Sequence, residues 1–126
     1  MGNTCRSQMA EAIVNARLAA RWEAFSAGSR PEGSVNPLAL KALQEIGITH
    51  RGTPKSVDVY QQVAFDLVVI LCDQDDDQCP VWLAKGKVVH QPYRDPALAS
   101  GSEDQKMAAY RTVRDQMLDE IPGLLE

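Results

Sequence analysis

An α/β fold, a parallel sheet flanked by helices in three layers, is predicted by three features of this 126-residue chain. Stretches with helical periodicity alternate with short β-branched runs, as in doubly wound sheets. One of those runs, FDLVVILC, is apolar throughout apart from Asp66. Turn residues punctuate the junctions between elements. Hydrophobic residues make up 44% and charged residues 24%, so residues 1–126 read as a single globular domain long enough to bury a core. A net charge of -4 argues against non-specific nucleic-acid binding. The apolar run is too short to cross a bilayer, and the first residues lack the apolar stretch of a secretory signal. No membrane partner and a cytoplasmic location are therefore expected.

Each element follows from local chemistry. SQMAEAIVNARLAA, residues 7–20, reads as a helix with Met9, Ile13, Val14 and Leu18 on one face and alanines favouring the state. RWEAFSAG, residues 21–28, alternates Trp22, Ala24 and Ser26 against Glu23, Phe25 and Ala27. That pattern predicts a short strand ended by Gly28. Asn36 and Pro37 supply the cap and first turn of a helix through Ile46, with Leu38, Ala42, Leu43 and Ile46 inward and Gly47 as its stop. Beyond the loop ITHRGTPK, SVDVYQQVA predicts a short helix and FDLVVILC a strand covered on both faces. KVVHQPY is a weaker strand ended by Pro92. Ser102 and Gln105 form a capping box that opens a helix to Ile121, with Met107, Tyr110, Val113, Met117 and Leu118 inward.

In parallel sheets ligands collect at the carboxyl ends of the strands. The N-terminal loop, the end of FDLVVILC and the segment after KVVHQPY are therefore expected to converge. The loop GNTCRS suits a tetrahedral oxyanion. Gly2 lets the backbone approach closely, Asn3 tolerates the left-handed conformation, and the amides of residues 2–7, Thr4 and Cys5 included, lead into a helix N-terminus. Arg6 offers a planar fork for two oxygens, and Ser7 can cap the helix. The plainer reading is an ordinary capped helix behind an irregular N-terminus, with Cys5 a small buried hydrophobe.

In LCDQDDDQCP, Cys72 ends the apolar strand and Cys79 follows seven residues later. Two thiols at a strand end and on a polar loop could form a reversible disulfide, although Asp73, Asp75, Asp76 and Asp77 disfavour a thiolate. The alternatives are a packed Cys72 with an incidental Cys79 beside a solvated acidic face, or, more weakly, a metal site. Asp95, before Pro96 in YRDPA, stands where a general acid could serve a leaving oxygen, or is a turn-forming Asp-Pro pair. His50 and His90 have no partner pattern and read as surface or packing histidines.

GNTCRSQMAEA, FSAG, VNPLALKALQEIGI, FDLVVILC with Cys79 beyond it, YRDPA and YRTVRDQMLDEI together resemble the thioredoxin-coupled arsenate reductases nearly end to end. Those enzymes share the low-molecular-weight protein tyrosine phosphatase fold. The loop and its helix are common to the phosphatases, whereas the Cys72/Cys79 pair belongs to the reductases. The resemblance implies an oxidoreductase of arsenical resistance that turns arsenate into arsenite without a cofactor. A nucleophilic cysteine attacks the oxyanion, Arg6 clamps it, and Asp95 protonates the leaving oxygen. Arsenite leaves as Cys72 attacks the first sulfur. Cys79 then attacks Cys72 and carries the redox-active disulfide outward to thioredoxin.

In the family pattern five residues separate the nucleophile from the arginine, which puts that cysteine directly before Met1. The first, central strand of the fold precedes it. The natural product is therefore expected to begin upstream of Met1, and the chain as written to lack the nucleophilic step. A phosphotyrosine phosphatase and a non-catalytic oxyanion-binding domain are the alternatives. Some family members hold potassium behind the loop with an Asn, a Glu, a Ser and an Asp. Asn3, Glu11 and Ser26 match three of these, and Lys55 stands where the Asp would be. The lysine ammonium is expected to take the cation's place and orient Asn3, giving potassium independence and no metal.

Overall fold

The computed structural model describes residues 6–27, 34–56, 60, 65–71, 87–94 and 96–125. Helix α1 spans Arg6–Arg17 and buries Met9, Ala12, Ile13 and Val14. It ends before residue 20. Leu18 N still reaches Val14 O at 2.8 Å, but Arg21 N turns back to Leu18 O at 3.1 Å, a tighter closure that takes the chain off the helix axis.

The strand expected over residues 21–28 is corrected. Residues 22–27 are irregular, and Gly28 lies outside the described residues. The Asn15 side chain does the pairing that a neighbouring strand would do: Ala24 N donates to Asn15 Oδ1 at 2.9 Å and Asn15 Nδ2 donates to Ala24 O at 3.1 Å. A carboxamide carries the same donor and acceptor as a peptide, so both backbone groups of Ala24 are satisfied without a ladder.

Helix α2 spans Pro37–Gln44, with Asn36 in extended conformation (φ -60°, ψ 128°) and its Oδ1 accepting from Leu38 N at 2.9 Å. Its end falls at Gln44 instead of Ile46. Gly47 takes φ +80°, and Ile48 N folds back to Leu43 O at 3.0 Å, the left-handed closure that glycine makes without strain.

Strands β1 (Leu67–Ile70) and β2 (Lys87–His90) pair in parallel, Leu67 opposite Lys87 through Ile70 opposite His90. Both lie inside the predicted runs, and the pairing is the parallel one expected. The expectation that the first would be covered on both faces is corrected: all four β1 residues are half-buried. Its ladder partner among the described residues is β2. Past the strands, Gln91 N donates to Ile70 O at 2.9 Å and Tyr93 N to Leu71 O at 3.1 Å, which keeps the two chains side by side at their carboxyl ends. The short helix expected over residues 56–64 falls mostly outside the described residues.

Helix α3 spans Glu103–Leu124, and its capping box forms as predicted: Gln105 N donates to Ser102 Oγ at 3.2 Å and Ser102 N to Gln105 Oε1 at 2.8 Å. It runs past Ile121 because Pro122 stands in the last turn, where a proline forgoes one helix bond and little follows it to be broken. The three helices contact one another, and their facing residues form the core: Met9 and Ile13 of α1, Ala42 and Leu43 of α2, Tyr110 and Met117 of α3. Tyr93 and Ile48 join it, and Leu118 packs at its margin.

The carboxylate of Glu45, at the end of α2, binds two arginines of α3: Arg111 Nη2 at 2.7 Å and Arg114 Nη1 at 2.8 Å. Arg114 Nη1 also donates to Ala42 O at 3.0 Å. The hydrogen bond from Arg111, together with the Arg114 contacts, holds the Glu45 carboxyl down at about 2, against an ordinary 4.5. A carboxyl lowered on folding stabilises the native state above its ordinary range and ceases to do so as pH falls through the native value. Thermal melts of wild type and Glu45→Gln should therefore differ at neutral pH, and the gap should close as pH falls from 4.5 toward 2. An equal gap at all pH values would show that the network is not electrostatic.

Candidate active site

Arg6 opens α1 and is almost completely buried. Its Nη1 donates to Tyr93 O at 2.9 Å and lies 3.4 Å from Leu71 O. Leu71 follows β1 and directly precedes Cys72, and Tyr93 follows β2 two residues ahead of Asp95. The start of α1, the end of β1 and the segment after β2 thus meet at one guanidinium, the convergence expected of a parallel sheet. Main-chain carbonyls neutralise part of the cost of burying that cation. The positive end of the α1 dipole lies at the same point, so the local field favours an anion.

Of the other predicted site residues, Ser7 is half-buried on the first turn of α1. Gly2, Asn3, Thr4, Cys5, Cys72, Cys79 and Asp95 lie outside the described residues. Among the described residues no group of three His, Cys, Asp or Glu side chains could hold a metal ion. No described helix is long and apolar enough to cross a membrane.

Behind the first turn of α1 lies a polar cluster. Gln8 is fully buried; its Nε2 donates to Thr53 O at 3.2 Å, and its Oε1 meets His50 Nε2 at 2.7 Å. The Glu11 carboxylate stands 3.5 Å from the same ring nitrogen, with only 10% of its side chain exposed. Burial pushes the His50 imidazole below its ordinary value; Glu11 pulls it up and Lys55 pushes it down. Lys55 Nζ donates to Thr53 O at 3.2 Å. Ser26 is buried, and its Oγ has no hydrogen-bond partner among the described residues.

His50 is the packing histidine of the two readings expected, but it is not solitary: it bridges two residues of α1. The one signal in the sequence was Gln8, which stands one turn ahead of Ala12 on the apolar face of the helix, a polar residue where the stripe wants a hydrophobe. Nothing marked its partner, because His50 lies 42 residues away and the contact exists only after folding. Gly52 admits it: a Cβ there would run into Gln8 Oε1 and His50 Nε2. The Tyr93 hydroxyl is buried, and burial, reinforced by Glu120, pushes it up to about 12, with Gln91 pulling it down.

The whole chain, residues 1–126, matches the family described as Low molecular weight phosphotyrosine protein phosphatase. An arsenate reductase of Halalkalibacterium halodurans is 42% identical over 99% of this chain and 90% of its own length. The solved structure of an arsenate reductase from Archaeoglobus fulgidus superposes with a TM-score of 0.79 at 30% identity, over 98% of this chain and 93% of that one. A structure of an arsenate reductase in the phosphate binding state gives 0.76 at 26% identity, over 98% of this chain and 89% of its own.

Crowding at Gly52 gives a direct test of the cluster. Gly52→Ala should destabilise the fold by about 1–3 kcal/mol, the usual cost of forcing a methyl into a filled site, with Gln8 and His50 pushed apart. Chemical denaturation measures it; an unchanged midpoint would mean that the two side chains do not pack over this glycine.

Proposed function

The chain belongs to the low molecular weight phosphotyrosine protein phosphatase family, and from that premise we propose that it serves the reduction of arsenate to arsenite, with electrons drawn from thioredoxin. The observation that carries this reading is the placement of Arg6. Its guanidinium joins the main chain next to Cys72 to the main chain two residues from Asp95. An oxyanion held at the start of α1 would therefore lie beside the carboxyl ends of both strands. The similarity to arsenate reductases over nearly the full chain supports the substrate class.

In the proposed sequence a thiolate attacks the arsenic, a sulfur–arsenic bond forms, and an oxygen leaves as water with a proton from Asp95. Cys72 then attacks that sulfur. The sulfur–arsenic electron pair passes to arsenic, which departs as arsenite, reduced by two electrons. Cys79 attacks Cys72, the first thiol is released, and the Cys72–Cys79 disulfide remains for thioredoxin's dithiol to reduce. Arg6 and the loop amides hold the negative oxygens throughout.

The decisive assay couples arsenate to thioredoxin and its reductase, using the protein produced from its natural gene. Arg6→Lys should lower the rate by about 100-fold or more, since a point charge replaces the planar fork. Cys72→Ser and Cys79→Ser should each abolish thioredoxin-coupled turnover. Arsenate-independent hydrolysis of phosphate esters that survives Cys72→Ser would assign the site to the phosphatases instead.

Potassium independence belongs to the same proposal. It is supported by the approach of His50 to Glu11 and by the field of Lys55 at that imidazole. Melting temperatures in potassium, sodium and choline chloride at equal ionic strength should coincide. A rise specific to potassium would overturn this part.

A further inference from the structure

We draw no further inference here: the strongest candidate, the aromatic surface patch in which the exposed ring of Phe25, beyond the end of α1, lies 5.7 Å from that of Tyr60 and 6.0 Å from that of Phe65 ahead of β1, carries nothing because nothing in the structure shows what covers it.

Discussion

A guanidinium out of water must be surrounded by acceptors, and the burial of Arg6 imposes that demand on the whole molecule. The described acceptors are main-chain carbonyls, those of Leu71 and Tyr93. Carbonyls there can meet one nitrogen only if β1 and β2 run parallel and stay side by side past their last ladder bonds, as Gln91 and Tyr93 make them do. The start of α1 can then lie nowhere but at the carboxyl ends of the strands. A lysine would satisfy the charge but not the geometry, since an ammonium has no planar array of donors to divide between protein and ligand. One side chain thus sets both the placement of a helix and the electrostatics of a site.

The rest of the fold supplies a platform stiff enough for that placement to matter. Helices α1, α2 and α3 share a core of close-packed aliphatic, methionine and tyrosine side chains, and such interiors transmit small shifts instead of absorbing them. Glu45 binds α2 to α3 at one end of this group. At the other, Gln8 and His50 bind α1 to the segment that follows α2. Asn15 fastens the chain that leaves α1 by imitating a peptide group.

Much of this was legible from residue order. The caps at Asn36 and at Ser102 with Gln105 formed as predicted because they close within a few residues of one chain segment. The two strands formed inside their β-branched runs. The ends of α1 and α2 were read too long, since the turns that stop them depend on where the next segment must go. The alternation in residues 22–27 suggested a strand that did not form; Ala24 pairs instead with the side chain of Asn15.

Sequence alone determined the family, the order of α1, α2, β1, β2 and α3, and the capped starts of two helices. Each of these is written in residues adjacent along the chain or one helical turn apart. Only the tertiary structure decided that Arg6 grips Leu71 and Tyr93, that Glu45 answers two arginines of α3, and that His50 passes over Gly52 to a buried glutamine. Those contacts join positions dozens of residues apart. Their energies depend on distance and desolvation, which exist only once packing has brought the partners together and excluded water between them.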